Sequence, residues 1–469
     1  MIRLHPIPDA DHICPYCRVR MQVRGWYIPG MRNLADLECP RCGREFYGDL
    51  PAGHGLYYPM LLEQATGIVY NEHGVDWFAH WLRDSYANRV NSPIGFTIEE
   101  FLPLKQPILL NCLDTLYGHC LLKLLNAQYY LDHHPNFDLI VLVPRFLRWM
   151  VPDEVAAIWT VDLPLKRGAE WNDWLAAEIK RRIESLEACW LSMGFSHPHP
   201  EDYDIERFTR VRPFPIEEWD TRLERPTVTY IWREDRVWHE ANPQSLFQSL
   251  ARKWKSKLSF AQRPSDRWKQ WVVAYRRLRG LVQKLEQSIG LTQHPLDEQK
   301  QRVVALAQAL RRAFPQIDFA VAGLGRPGGL PNWIADLRTL EISEHVERAW
   351  CERYAQSHVV IGVHGSNMLL PSAHAGAVVE LVPIECWGNL IQDILIAPRD
   401  AREIMYRYRF LPLDTAPGIV AEVTASLLCY LPSALLNFNR PWCDHKILQG
   451  DPWLIVKRRR KIAKRLADP

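Results

Sequence analysis

The chain has 469 residues, 47% of them hydrophobic and 24% charged. That fits two or three globular domains and excludes a disordered or collagen-like polymer. A formal net charge of only +3 excludes general electrostatic binding of nucleic acid, and no specific nucleic acid is expected as a partner. No run reaches about 18 uninterrupted apolar residues, the length a membrane-spanning helix needs. The opening MIRLHPIPDADHICPYC lacks the basic-then-apolar pattern of a signal peptide. Eleven cysteines, an odd number, suit a reducing compartment better than a disulfide framework. A soluble, cytoplasmic chain is expected.

Residues 1–50 carry Cys14 and Cys17 in CPYC, then 21 residues, then Cys39 and Cys42 in CPRC. Each CxxC aims two thiolates at one ion, and the spacer is long enough for a hairpin, so this segment is expected to be zinc-ribbon-like with a structural Zn2+. Arg18, Arg41 and Arg44 offset the negative charge of the thiolates. Four thiolates leave no open position, so this metal is structural.

Residues 107–146 read as a strand at 108–112, a Leu-rich helix and a second strand from Asp138 to Val143, a βαβ unit that implies a parallel sheet. A further strand is expected at 156–161. An amphipathic helix is expected over 171–193, with Trp171, Trp174, Leu175, Ile179, Ile183, Leu186 and Trp190 on its apolar side. Residues 196–226, rich in Pro, His and acid, read as an interdomain linker. Within it HPHPED (His197, His199, Glu201, Asp202) has the composition of a metal site, but prolines between the histidines disfavour one. Then TVTYIWRED gives a strand ending in charge. Residues 245–293 form a basic helical pattern interleaved with Trp, read as an insertion with a solvated face or an anionic partner. Beyond it, helices at 298–313 and 346–356 alternate with strands at 317–321, 359–363 and 377–381. The tail 441–469 is strongly basic, with spaced apolar residues. It reads as a solvated tail or a peripheral contact with an anionic membrane.

The stretch HVVIGVHGSNMLLPSAHAGAVVELVP, residues 358–383, carries the chemistry. In open parallel sheets ligands bind at the carboxyl ends of strands. The strand 359–363 delivers His364, Gly365, Ser366 and Asn367 to such an end. Gly365 permits close backbone approach, a following helix start offers N–H groups to phosphate, and the short side chains add hydrogen bonds. Glu380, taken as the end of the next strand, is placed to accept ribose hydroxyls. These parts suit a nucleotide diphosphate with its ribose; a capped turn around a satisfied histidine is the structural alternative.

GVHGSNMLLPSAHAGAVVELVP resembles the donor-side motif of the family-61 glycosyltransferases (the DUF563-type proteins), roughly GxHGAGLxNxxF followed by small residues and VVEL-P. LDTLYGHCLLKLLNAQYYL is similar to that family's N-terminal Tyr-Gly-His and Leu-rich helix, and VTYIWRED to the strand and arginine that open its second domain. The resemblance spans about residues 105–385 and is confined to these motifs. It departs where the family's Ala-Gly-Leu is Ser-Asn-Met and where the Ser before Arg233 is Trp232. The ribbon and the basic insertion lie outside the family pattern.

This resemblance implies an α/β, GT-B architecture of two Rossmann-like domains facing a cleft. The expected domains are residues 51–222 on the acceptor side and 223–440 on the donor side, flanked by the ribbon (1–50) and the tail (441–469). It implies inverting transfer of a sugar from a nucleotide-sugar donor to a glycan or protein acceptor, as in polysaccharide biosynthesis, with no catalytic metal expected. Carried over by position, His364, Gly365 and Ser366 face the diphosphate, Glu380 the ribose or sugar, and Arg233 the leaving phosphate. Tyr117 and His119 line the acceptor side. Inverting transfer needs a base. His119, with an unperturbed pKa of about 6.5, or Asp114 could serve; Asp114 could instead orient His119 or cap the helix expected near Thr115. The competing expectation is an inactive transferase fold that binds nucleic acid or protein through the ribbon and the basic insertion.

Overall fold

The computed structural model describes residues 1–71, 74, 76–195, 198, 203–239, 295–396 and 401–438. The insertion 245–293, the tail 441–469 and the HPHPED side chains lie outside the described residues. The chain divides into two compact units, one built mainly on Met1–Pro213 with Ser343–Glu352, the other on Phe214–Ile342 and Arg353–Asp393. Both are mixed α/β and contain parallel strands. Among the described residues no helix is long and apolar enough to cross a membrane.

The first unit holds two sheets. After the edge strand β1 (Ile2–His5) comes the ribbon sheet: β2 (Gln22–Tyr27), β3 (Leu34–Glu38), β4 (Glu45–Asp49), β5 (Leu61–Glu63) and β6 (Val69–Tyr70). These five pair antiparallel in chain order. The second sheet uses β7 (Phe96–Glu100), β8 (Pro107–Asn111), β9 (Asp138–Pro144), β10 (Ala157–Val161) and β11 (Cys189–Leu191), in the order β1-β11-β8-β9-β10-β7. Its four inner strands are parallel and its two edges antiparallel. Every residue of β8 and β10 is buried, as expected for apolar runs covered on both faces. The helix Tyr117–His133 makes the crossover from β8 to β9. From β8 the chain steps to β9 and β10 on one side, then returns with β11 on the other, so the winding reverses between β8 and β11.

The ribbon does not end at residue 50, because its sheet continues to Tyr70 and shares a core with the parallel sheet. Trp26, Ile28, Leu37 and Phe46 pack in one cluster with Leu109, Ile140, Trp159 and Ile179. Each such side chain contributes about 1.5–3 kcal/mol by leaving water, enough to fuse the two layers. Polar pins reinforce the joint. Asn111 donates to the carbonyl of Gly30 at 2.9 Å and to Asn33 Oδ1 at 3.0 Å. Within the ribbon, the buried Arg32 pairs with Asp49 at 3.0 Å, and it ties the ribbon to the helix Asp76–Ala87 by donating to the carbonyl of Phe78 at 2.9 Å.

Two expectations are corrected here. The helix expected over 171–193 runs only from Asp173 to Glu184, capped by Asn172, whose side chain accepts from the N–H of Leu175. Trp190 lies on β11, where a period-2 strand followed the helix closely enough to imitate its stripe. The supposed linker is folded in part: Ile205–Thr209 is a helix that ends at Arg210, and Trp219–Arg222 is another. Arg210 donates to the carbonyls of Trp149, Phe208 and Val151.

The second unit is a six-stranded, wholly parallel sheet. Its strands are β12 (Thr227–Trp232), β13 (Asp318–Leu324), β14 (Ile334–Thr339), β15 (Val359–Val363), β16 (Ala377–Val382) and β17 (Tyr408–Pro412), in the order β14-β13-β12-β15-β16-β17. Three strands wind one way from β12 and three the other way from β15. The helices Pro295–Ala313 and Pro417–Phe438 bury Val303, Leu306, Leu310, Val420 and Leu428 against Val228, Tyr230 and Ile361.

Candidate functional site

Three constellations carry chemistry, and the ribbon knuckles are the simplest. Cys14-Pro-Tyr-Cys17-Arg18 and Cys39-Pro-Arg-Cys42-Gly43 fold alike: the N–H of Arg18 donates to the carbonyl of Cys14 at 2.9 Å, and that of Gly43 to Cys39 at 2.8 Å. Arg18 and Gly43 take the left-handed backbone, with φ of 57° and 65°. Glycine adopts it freely, whereas at Arg18 it costs on the order of 1–3 kcal/mol. All four sulfurs lie within 4.8 Å of one another, with Cys14 and Cys42 3.9 Å apart. A tetrahedral thiolate site with Zn–S of about 2.3 Å has sulfur–sulfur edges of about 3.8 Å, so the donor set fits a metal such as zinc. The neighbouring Cys42 sulfur, with burial, pushes the Cys17 thiol up to about 12. Burial opposes ionisation of Cys39, but N–H groups of Cys42 and Arg41 outweigh it and bring that thiol down to about 7. A cation would expel the protons these thiols share.

The second constellation sits where the first unit's winding reverses, beyond the carboxyl end of β8. Asp114 is 3% exposed and has its carboxylate wholly enclosed. Its Oδ2 is 2.7 Å from Lys123 Nζ and 3.5 Å from His54 Nε2, and its Oδ1 is 3.2 Å from His119 Nδ1. Burial alone would raise the Asp114 carboxyl, but Lys123, His119 and His54 hold it well below the usual carboxylate range. Lys123 lies in the second turn of the helix Tyr117–His133, is 2% exposed, and also donates to the carbonyl of Leu113 at 2.9 Å. His54 arrives from the ribbon sheet, on the connection between β4 and β5. Burial pushes its imidazole down. The rings of His54 and His119 are 5.0 Å apart.

Asp114 therefore cannot reach a substrate; it orients His119, which keeps partial exposure. Nor does it cap the helix, whose N-cap is Leu116, without a side-chain bond. Tyr117 does not face an open acceptor site. Its hydroxyl donates to Glu347 Oε1 at 2.9 Å, while the Trp149 indole donates to Oε2 at 3.0 Å. Burial pushes the Glu347 carboxyl up despite these two donors.

The third constellation occupies the winding reversal of the second unit, at the carboxyl ends of β12 and β15. Arg233 donates through Nη1 to the carbonyl of His364 at 3.0 Å and to Asn367 Oδ1 at 2.7 Å. Its Nε and Nη2 grip Asp235, at 2.8 and 2.5 Å. Asp235 is 74% exposed, and Arg233 pulls its carboxyl down. Arg236 donates to the same His364 carbonyl at 2.9 Å. Gly365 has a φ of 143°, and a Cβ there would stand 2.4 Å from Arg233 Nη1. The close approach that needs glycine is thus made by the guanidinium.

Glu380 and the helix start differ from expectation. Glu380 is not at a strand end, because β16 continues to Val382 against β17; it lies opposite Gly362 and is fully buried. His364, 3% exposed, meets it through Nδ1 at 3.1 Å. So Glu380 supports His364 from behind and does not face a ribose. The helix after Asn367, Leu369–His374, has six residues, too short for its N-terminus to hold a phosphate by itself. Gly365, Ser366 and Asn367 remain half-exposed.

Sequence reasoning missed His54, Lys123, Arg236 and Glu347. Lys123 left a signal: one lysine amid LLKLL, on a helix otherwise buried at Leu121, Leu122, Leu124 and Leu125. No protein-family model matches the chain, and no curated protein is similar to it.

Proposed function

We propose that this chain is an inverting glycosyltransferase that moves a sugar from a nucleotide-sugar donor to a hydroxyl of a glycan or protein acceptor. The observation that carries this is the parallel sheet of the second unit. Its order, β14-β13-β12-β15-β16-β17, is that of doubly wound nucleotide-binding sheets, in which ligands sit at the switch point. There, Arg233 and Arg236 converge on one carbonyl beside Gly365. Two guanidiniums at one strand end suit the diphosphate of the donor and stabilise it as a leaving group. The exposed Asp235 is the group a phosphate would displace from Arg233. The reading takes the two units as the two Rossmann-like domains of a GT-B transferase, as the motif resemblance implies.

His119 is the base. It accepts the proton of the acceptor hydroxyl, whose oxygen bonds to the anomeric carbon as the bond to the nucleoside diphosphate breaks and its electrons leave with the phosphate. Asp114, kept ionised by Lys123, holds His119 through Nδ1. The four cysteines supply a structural metal only.

A binding scaffold is favoured by one observation: Arg233 and His364 are already satisfied by Asp235, Asn367 and Glu380. The deciding experiment follows release of nucleoside diphosphate from UDP-, GDP- and dTDP-sugars, and of CMP from CMP-sugars, with mixed glycan acceptors. Transferase activity requires release with one donor and its loss in His119→Ala. No release from any donor, with the protein folded, favours the scaffold.

A further inference from the structure

Lys123 lies where chemistry would put a metal. His54 Nε2, Asp114 and His119 offer three ligand atoms within 4.8 Å of one another. His54 Nε2 lies 3.5 Å from Asp114 Oδ2 and His119 Nδ1 lies 3.2 Å from Asp114 Oδ1, so both imidazoles already face the carboxylate. Two imidazoles and a carboxylate are a common donor set for such ions. Yet the centre already contains a cation. The Lys123 ammonium is 2.7 Å from Asp114 Oδ2, 2% exposed, and anchored to the carbonyl of Leu113 at 2.9 Å. Its stem leaves it no route to solvent, since the helix Tyr117–His133 buries it among leucines. A divalent ion entering here would meet a fixed positive charge at short range in a medium of low dielectric constant.

We propose that the Lys123 ammonium is a built-in substitute for a divalent cation: it keeps the His54–Asp114–His119 triad a metal-free proton site, and removing it opens the triad to a metal. This does not depend on the transferase activity proposed above. It assigns Lys123 the charge and His54, supplied by the ribbon sheet, the second imidazole. The amine is covalently part of the chain, so the site needs no metal supply and keeps its charge when chelators are present.

Metal stoichiometry tests this without any assay of activity. Purified chains are loaded with Co2+, freed of excess ion and analysed for bound metal. The native protein should hold one ion per chain, at the four cysteines. Lys123→Ala should hold two, and Lys123→Ala/His54→Ala one. The second ion should lack the thiolate-to-cobalt absorption of the first. Losing the ammonium leaves Asp114 buried and uncompensated, so Lys123→Ala is expected to melt earlier without cobalt and to recover with it. Two ions on the native chain, with one lost in Asp114→Asn, would overturn the proposal. So would a folded Lys123→Ala chain holding one ion, or a variant that cobalt fails to refold.

Discussion

The two winding reversals of this molecule are built from opposite materials. In the first unit, His54, Asp114, His119 and Lys123 form a largely buried polar cluster whose charges are balanced internally, and one member comes from the ribbon sheet. In the second unit, the charges are guanidiniums at a strand end, and the acid that answers Arg233 is an exposed side chain. A buried pair is expensive to break, because the survivor cannot be hydrated. A surface pair costs little to break and exchanges readily for another anion. The first arrangement suits a group that must be held in place. The second suits a ligand that must come and go.

Substitutions can break or sharpen this contrast. The largest effect is expected in the first unit. Arg32→Met strands the buried Asp49, and a loss of about 3–5 kcal/mol should appear in denaturant unfolding; a loss below about 1 kcal/mol would show that this buried pair does not hold the ribbon together. Cys39→Ser should abolish metal binding. Because the ribbon shares its core with the parallel sheet, the melting of the whole first unit should shift, not that of an isolated ribbon. Limited proteolysis that trims the ribbon and leaves the sheet native would contradict this.

Acid should separate the sites next. Asp114 is depressed below its unfolded pKa of about 3.9. Its stabilisation is therefore complete above that value and is lost as pH falls through the lower folded pKa. Asp114→Asn should flatten the acid limb of stability. Glu347 has the opposite sign: its folded pKa is raised, so its contribution is present below about pH 4 and lost as pH rises through the folded value. Glu347→Gln should gain relative stability at neutral pH. Identical pH profiles for the two variants would show that their environments are not as different as described.

The second unit should respond in binding more than in stability. Gly365→Ala forces a side chain into a left-handed φ against Arg233, a cost of about 1–3 kcal/mol, and should weaken nucleotide binding. Asp235→Asn, the smallest change, should move stability by no more than about 0.5 kcal/mol. It should tighten a diphosphate a few-fold by freeing Arg233; weaker binding would mean that Asp235 touches the ligand itself.

How much of this was legible depended on locality. The knuckles were legible because CxxC is a local unit, and β8, β9, β12, β15 and β16 because short runs dominated by apolar and β-branched residues need little context. The edge strands β14 and β17 were not, since their partly exposed, polar residues carry no apolar run. His364 was placed at its strand end, but its pairing with Glu380 depends on the register of β15 with β16, which no single segment encodes. His54 was invisible as a site residue for the same reason: it reaches Asp114 only after the ribbon and the parallel sheet close on one core.

The central claim is that the second unit's switch point binds the donor diphosphate. The direct test is calorimetry of the native protein, Arg236→Ala and His119→Ala against UDP-, GDP- and dTDP-sugars. The account predicts that one nucleotide binds, that Arg236→Ala weakens it at least about tenfold, consistent with 1.5–3 kcal/mol for a hydrogen bond to a charged group, and that His119→Ala leaves it unchanged. Binding that survives the arginine substitution, or no binding by any of the three, would contradict it.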